Sequence, residues 1–300
     1  MKKKTYLFTL MAMALTLGSC SDNENGIGGE TSKYITVSTS IGNMTRVAAD
    51  TKGGQTFEEG DEISVYAWTG DATIAPDASE RVVNNAINKL TNGSWVSTPQ
   101  MLWKNNRDKH YFIGVYPTAA ISDLSAGEYT FDANKQTESD LLVAVNPDGL
   151  SYSADAQQIV PLTFTHVMAK LAVNLTYKNQ WGGIPTVEKV VVGNAAKEAT
   201  INYLTKVVTP STTAKEDFSL PEITENTKYV SVIIPQEDVK QLTIVIGGKN
   251  FVYDNGTPFK LESGKITTVN LEVGRDEIKL GDVKITNWED GSTFSGEALN

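Results

Sequence analysis

The sequence contains almost no cysteine and very little histidine. Its 300 residues include one cysteine, Cys20, and two histidines, His110 and His166. One thiol cannot form an intrachain disulfide. The usual zinc sites need three or four cysteine, histidine or carboxylate ligands at recognisable spacing, and no such cluster occurs. Small exported domains often depend on cross-links of this kind. This chain must instead be held together by packing, and it is long enough for one large or two ordinary domains.

Basic charge, long apolar runs and catalytic motifs are also lacking. The formal net charge of −10 provides no basic footprint for nucleic acid or anionic lipid. The apolar stretch 6–17 is shorter than the roughly 20 residues that a membrane-spanning helix needs. No HExxH, GxSxG or phosphate-binding glycine motif occurs. We therefore predict a protein that is not an enzyme and has no catalytic residue, no metal, no cofactor and no nucleic-acid partner.

Acidic residues leave two weaker interpretations open. A glycoside hydrolase needs two carboxylates facing each other across a cleft, and Glu59 and Asp61 are the candidates for such a pair. Calcium binding is conceivable at 22–26 or 289–291, although neither segment completes an EF-hand loop. Adjacent acids in loops are more often simply solvated.

The start of the chain has the layout of an export signal. Lys2, Lys3 and Lys4 precede the apolar stretch, which ends in small residues. Leu17, Gly18, Ser19 and Cys20 resemble the lipobox of bacterial lipoproteins. That resemblance implies a signal peptide over residues 1–19 and a mature chain that begins at Cys20, with a diacylglyceryl group on its sulfur and an acyl chain such as palmitate on its amine. Three acyl chains exceed the two signals that stable membrane anchoring requires. An ordinary signal followed by a free cysteine is the alternative.

Residues 20–31 are predicted to form a flexible tether. Gly26, Gly28 and Gly29 favour flexibility. The acidic Asp22 and Glu24 loosely resemble the signal that sends lipoproteins of the Bacteroidetes to the outer face of the outer membrane. A solvated tether explains the same residues, and the two interpretations are compatible.

After the tether, period-two alternation predicts β-strands almost throughout. In residues 34–41, Ile35, Val37 and Ile41 share one face. Residues 242–246 and 249–253 flank Gly247-Gly248 and predict a hairpin with a primed turn. Residues 78–90 have spacing suited to one or two helical turns, and residues 146–149 have the chemistry of a turn. Further strands are predicted at residues 62–68, 111–116, 141–145, 160–164, 171–175, 187–192, 230–234 and 267–273.

Many short strands separated by turn signals indicate an all-β fold of the sandwich type. The turn-rich stretch 146–158 is the candidate boundary between two units of ordinary domain size. We predict two tandem β-sandwiches with Greek-key-type connections. The first covers residues 32–155 and the second covers residues 156–300.

Several stretches resemble the fimbrillin or Mfa-like family of Bacteroidales, whose members are lipoprotein subunits of type V pili. The stretches are FEEGDEISVYAW (57–68), HYFIGVYP (110–117), SDLLVAV (139–145), PLTFTHVMAKLAVNL (161–175) and ITNWEDGS (285–292). The resemblance implies two transthyretin-like sandwiches on a surface-exposed subunit anchored in the outer membrane. The implied partners are other fimbrial subunits, in a homo- or heteropolymer, a trypsin-like processing protease, and host or bacterial surface ligands.

The same resemblance implies assembly by donor-strand exchange. In that family a protease cuts after an arginine that follows the first strand, and the groove left by this strand is filled by a strand of another subunit. Arg46 occupies the matching place here, and Lys52 is a weaker trypsin-type site. The removable strand would carry Ile35, Val37 and Ile41. Arg46 as an ordinary solvated loop residue is the alternative, since exposed loops are cleaved in many proteins.

The C-terminal strand is the candidate donor. Ile278 and Leu280 share one face, and after Gly281 the apolar set shifts to Val283 and Ile285. This one-residue slip predicts a bulge or bend. The segment either extends to a neighbour or folds back as a last strand, so the residues leave stalk, tip and anchor positions open.

A surface lipoprotein that binds glycans is the alternative function. Exposed aromatic rings stack on sugars, and Tyr66, Trp68 and Trp103 are the candidate contacts. Aromatic residues also fill sandwich cores, which is the competing interpretation of all three.

Overall fold

The computed structural model describes residues 33–42, 56–153, 158–254 and 256–288. These residues form 19 β-strands and one short turn of 3-10 helix, so the predicted all-β fold of the sandwich type is confirmed. The strands of the first half are β1 (Thr36–Ile41), β2 (Glu62–Thr69), β3 (Val83–Thr91), β4 (Ser94–Thr98), β5 (His110–Tyr116), β6 (Gly127–Thr130), β7 (Leu142–Leu150) and β8 (Ile159–His166).

The second half contains the remaining strands and the 3-10 turn. In chain order these are β9 (Ala169–Tyr177), the turn Asn179–Trp181, β10 (Val187–Ala196), β11 (Glu198–Asn202), β12 (Val207–Pro210), β13 (Lys215–Ser219), β14 (Glu222–Thr224), β15 (Lys228–Ile233), β16 (Gln241–Ile246), β17 (Lys249–Asp254), β18 (Lys265–Val273) and β19 (Ile278–Asn287).

The strands form four sheets. A seven-stranded sheet has the order β1-β8-β7-β5-β2-β3-β4 and encloses a core of its own. A five-stranded sheet, β14-β15-β9-β18-β19, and a four-stranded sheet, β13-β10-β16-β17, contribute to a larger core. A three-stranded sheet has the order β12-β11-β6. Only the pairs β1–β8 and β9–β18 are parallel among the described strands.

Strand pairing crosses the boundary predicted between residues 155 and 156. Strand β8 follows that boundary but pairs with β1 and β7 in the seven-stranded sheet. Strand β6 precedes the boundary but pairs with β11. The two halves therefore share backbone hydrogen bonds, and the exact division into two domains stays a prediction.

Two local expectations are wrong. Residues 78–90 are not helical, because β3 occupies residues 83–91. Asn85 has a positive φ of 58° and interrupts the β2–β3 register. This irregularity breaks the period-two alternation of apolar residues, and the resulting spacing resembles that of a helix.

Residues 146–149 do not end their strand. Strand β7 continues to Leu150 as an irregular stretch in which Gly149 donates to Asn146 Oδ1, and Pro147 is tolerated because β8 pairs with β7 only over residues 142–144.

The predicted glycine hairpin is confirmed. Strands β16 and β17 pair in register through Ile246 and Lys249. Gly247 and Gly248 have φ angles of 60° and 72°. Two consecutive positive φ angles define the primed turn, whose twist matches that of the flanking strands.

Candidate functional site

The candidate site is the position of residues 33–42, which contain β1 and lie between strand β8 and the stretch 101–103. On one side β1 pairs with β8 in a parallel register that runs from Thr36 opposite Ile159 to Ile41 opposite Phe164. On the other side the Ile35 amide donates to Met101 O at 3.0 Å. The Trp103 amide likewise donates to Lys33 O at 3.2 Å. We call the space that β1 occupies the β1 slot. Strand β8 forms one wall of this slot, and β4 with residues 101–103 forms the other.

The side chains of Ile35 and of β1, which follows it, form an inward row and an outward row. The inward row contains Ile35 and Val37, which are 1% and 7% exposed, and Ile41, which packs against the same core. Ser38 and Ser40 are exposed. The structure thus places the three predicted apolar residues of the removable strand on one inward face, with Ile35 and Val37 buried and Ile41 half-buried. Each fully buried aliphatic side chain contributes roughly 1.5–3 kcal/mol, so the row anchors β1 in its slot.

Aromatic rings line the end of the β1 slot that lies beside Ile41. Phe57 packs edge-on against Trp95, Tyr116 and Phe164, with ring centroids 5.1–5.4 Å apart. The Trp95 indole donates from Nε1 to Thr39 Oγ1 at 3.0 Å. Beside β1 runs a groove of about 730 Å³ that is lined in part by Phe57, Trp95 and Ile41. The space between β1 and β4 is therefore not completely filled at this end of the slot.

His110 supports the opposite wall of the slot. Its ring is fully buried and meets the Trp103 ring edge-on, with centroids 4.9 Å apart. Its Nε2 accepts from the Lys104 amide at 3.0 Å, and its Nδ1 donates to Asp108 O at 3.1 Å. Both bonds suit neutral imidazole. Burial lowers the pKa of His110 below its ordinary value, against smaller opposing effects from Asp108.

This burial predicts that acid weakens the slot. The unfolded chain takes up a proton on His110 near pH 6.5, whereas the folded chain resists protonation until a lower pH. The stabilising contribution of neutral His110 is therefore complete above about pH 6.5 and declines as the pH falls below that value. We expect His110→Gln to cost about 1–3 kcal/mol at neutral pH, from lost hydrogen bonds. We also expect it to flatten the decline in stability between about pH 7 and pH 5.

Urea unfolding of wild type and His110→Gln across this pH range checks the expectation. All other ionisable groups are common to the two proteins, so the difference between the two curves isolates His110. Parallel curves would contradict a buried neutral imidazole.

The C-terminal strand β19 folds back onto its own subunit as the edge strand of the five-stranded sheet. The predicted bulge is confirmed, because Leu280 pairs with Leu271 and Asp282 pairs with Asn270, which leaves Gly281 without a partner. The candidate donor residues all pair with residues of β18 that face the core. Leu280, Val283 and Ile285 are nevertheless 36%, 39% and 38% exposed, and Ile278 is half-buried.

The three candidate glycan contacts are buried, so their predicted role as glycan contacts is wrong. Tyr66, Trp68 and Trp103 are 0%, 1% and 4% exposed. The Tyr66 hydroxyl donates to Ala119 O and accepts from the Ile121 amide. Trp68 Nε1 donates to Asp71 O at 2.8 Å. These rings fill cores, so they offer no face to a sugar.

The acidic candidates serve loop structure. Glu59 Oε1 accepts from the Asn92 amide at 2.7 Å, and Asp61 Oδ2 accepts from the Glu58 amide at 2.7 Å. Among the described residues, no group of three or more His, Cys, Asp or Glu side chains is placed to hold a metal ion. Nor does that part of the chain contain a helix long and apolar enough to cross a bilayer.

Several predicted site residues lie outside the described ranges. They are Cys20 with its lipobox residues Leu17, Gly18 and Ser19, and Arg46 together with Lys52. Their roles stay predictions. The structure adds Phe57, Trp95, Phe164 and Thr39 to the site, which sequence reasoning missed. Two members of this aromatic group, Phe57 and Tyr116, lie in the stretches 57–68 and 110–117 that carry the family resemblance. Their presence there was the available sequence signal for the group.

Comparison with known proteins agrees with this architecture. A crystal structure of a putative cell adhesion protein from Bacteroides uniformis aligns with a TM-score of 0.62 at 20% identity, covering 85% of this chain and 99% of that one. One from Bacteroides ovatus, also a putative cell adhesion protein, gives 0.61 at 18% identity, covering 85% and 98%. A fimbrial protein from Bacteroides vulgatus gives 0.52 at 12% identity, covering 84% and 99%. At identities of 20% or below, these structural similarities show a shared fold and nothing further.

Sequence comparison identifies the family. No curated protein matches the chain. The family model described as fimbrillin-like matches residues 45–288, which include all but the first of the described strands. With most of its length matched, the chain belongs to the fimbrillin-like family.

Proposed function

We propose that this chain is a structural and adhesive subunit of outer-membrane-anchored fimbriae that joins its neighbours by donor-strand exchange. Membership in the fimbrillin-like family supports a fimbrial subunit at the cell surface that associates with other subunits and performs no catalysis. The observation that carries the finer proposal is the placement of β1. It is a terminal strand of its sheet and pairs with β8, while Lys33 and Ile35, just before it, form backbone bonds with residues 101–103 on the other side.

Removal of β1 opens a site that another strand fits. Its departure leaves the edge of β8 and the Met101 carbonyl without their partners and exposes the pockets of Ile35 and Val37. An unpaired edge beside an apolar groove is a template for strand addition. An incoming strand with apolar residues at alternate positions restores both the hydrogen bonds and the buried area.

Arg46 is the proposed cleavage point. It lies four residues after Gly42, the last described residue of this segment, whose amide donates to Phe164 O of β8. A cut after Arg46 by a trypsin-like protease would therefore separate β1 from the rest of the fold. It would also detach the acylated Cys20, which holds the uncut precursor in the outer membrane through the tether of residues 20–31.

The test uses the purified chain from residue 21 onward, treated with an arginine-specific protease. We expect a ladder of SDS-resistant oligomers whose chains begin at Val47, and no ladder from Arg46→Ala. The matched control Arg107→Ala removes an exposed loop arginine elsewhere and should leave the ladder intact. A chain that is cleaved cleanly after Arg46 and remains monomeric at high concentration would overturn the proposal.

A further inference from the structure

Packing holds β19 only weakly along its length. The strand pairs with β18 alone, and none of its ten residues is buried. The core-facing Leu280, Val283 and Ile285 remain more than one-third exposed. An edge strand of this kind has few buried apolar contacts and opens at low free-energy cost, unless something else retains it.

Trp288, the residue that follows β19, is held in a different way. It is only 6% exposed, and its backbone amide donates to Gly264 O at 3.0 Å. Its ring stacks on the His166 ring with centroids 4.1 Å apart and planes inclined by 8°. Lys170 Nζ lies 4.1 Å from the centroid of the same indole. Among residues 278–288, Trp288 is thus the only buried residue.

The groups around the indole belong to elements other than β19. His166 is the last residue of β8, Lys170 lies in β9, and Asp140 precedes β7. His166 Nδ1 donates to Asp140 Oδ1 at 2.7 Å, which fixes the orientation of the imidazole. The three side chains of the site are therefore supplied by parts of the fold that do not include β19.

The indole is bound through its face. Trp288 Nε1 is buried and has no hydrogen-bond partner. Aromatic stacking and the cation of Lys170 remain as the attractive contacts, and a cation over an indole gains more when it is withdrawn from water. Burial lowers the pKa of Lys170, with Asp140 opposing this effect, which agrees with a partly desolvated ammonium group.

We propose that Asp140, His166 and Lys170 form a receptor site for an aromatic side chain, and that Trp288 in this site retains β19 on its own subunit. The consequence for assembly rests on the proposed function: if β19 is the donor strand, Trp288 must leave the site before β19 can reach a neighbour. His166 of the receptor site is the last residue of β8, and β8 is also the strand that pairs with β1. The site that retains β19 and the slot that holds β1 therefore share strand β8.

Hydrogen–deuterium exchange on the uncleaved monomer tests the receptor site. We expect Trp288→Ala to speed exchange of peptides covering residues 278–288 by about tenfold or more, while peptides covering β1 and β5 keep their wild-type protection. The control Val283→Ala alters a half-exposed residue of the same strand and should change exchange less than about threefold. An unchanged rate in Trp288→Ala, or an equal effect from Val283→Ala, overturns the proposal.

A second pair of variants tests the aromatic character of the site and keeps the test valid if Trp288→Ala unfolds. Trp288→Phe retains a ring face, whereas Trp288→Leu retains apolar volume without one. We expect exchange of β19 to be clearly faster in Trp288→Leu than in Trp288→Phe, and Lys170→Met to reduce this difference. Equal β19 exchange rates in Trp288→Phe and Trp288→Leu would show that any apolar side chain retains the strand, which would overturn the aromatic site.

The two proposals fail separately. If cleaved wild type forms no oligomers while Trp288→Ala still frees β19, donor-strand exchange is wrong and the receptor site stands. If the oligomer ladder forms but hydrogen–deuterium exchange of β19 is unchanged in Trp288→Ala, the receptor site is wrong and the proposed function stands.

Discussion

Replacement of Phe164 by alanine is expected to lower the free energy of unfolding by about 3–5 kcal/mol. The ring is completely buried in the core of the seven-stranded sheet and packs edge-on against Phe57 at 5.1 Å. It also fills the space that Gly114 leaves on the neighbouring face, since a Cβ on Gly114 would lie 2.6 Å from Phe164 Cζ. Because Gly114 has no side chain that could move into the cavity, the site collapses poorly, and the cost should lie in the upper part of the range.

Urea unfolding monitored by tryptophan fluorescence measures the loss. Ile159→Ala on the same strand is the matched control, because Ile159 is 53% exposed and its truncation should stay within about 0.5 kcal/mol. Phe164 also faces Ile41 across the β1–β8 pair. Exchange of β1 amides should therefore rise in Phe164→Ala and not in Ile159→Ala. A loss below about 1 kcal/mol would mean that Phe164 does not support the slot.

The sequence could predict the strands whose two faces differ. Strand β1 has alternate buried and exposed residues, so its inward row was visible before the structure was known. The slip at Gly281 predicted the β19 bulge for the same reason, because a change of face in the pattern requires an extra residue in the strand. The glycine pair of the β16–β17 hairpin was equally direct.

Burial on both faces could not be predicted in this way. Strand β2 lies inside its sheet, and its six residues from Ile63 to Trp68 are all buried. Alternation shows that Tyr66 and Trp68 share a face, but it does not show whether that face is covered. The prediction that these rings contact glycans failed on this point. The contacts of Trp288 were hidden for a related reason, because a single ring after a strand has no period and its partners are more than 100 residues away in sequence.

Pairing between distant segments was also beyond local patterns. Residues 101–103 have no strand periodicity, yet their backbone forms one wall of the β1 slot. Strands β6 and β11 pair across about 70 residues and join the two halves. Strand periodicity identifies elements, whereas turn lengths and core packing decide which edges meet.

Replacement of Arg81 by methionine is expected to lower the free energy of unfolding by about 3–5 kcal/mol, because it removes a buried cation from a complete set of acceptors. Arg81 is 8% exposed. Its Nη1 donates to Ile121 O at 2.8 Å, its Nη2 donates to Ser122 O at 2.6 Å, and its Nε donates to Pro76 O at 3.2 Å. Methionine retains much of the volume but removes the donor from three carbonyls, including that of buried Ile121.

The fork of the guanidinium makes this prediction specific. Arg81→Lys retains the charge, but a single ammonium group cannot reach both Pro76 and the 121–122 carbonyls, so we expect about half of the loss to remain. Arg107→Met, in an exposed loop, should change stability by less than about 0.5 kcal/mol. The Ile121 and Ser122 carbonyls lie five to six residues before β6, the strand that pairs with β11. Exchange of β6 amides should therefore rise in Arg81→Met. If Arg81→Lys unfolds with the same free energy as wild type, the positive charge is sufficient and the several N–H donors of the guanidinium are not needed to order the segment before β6.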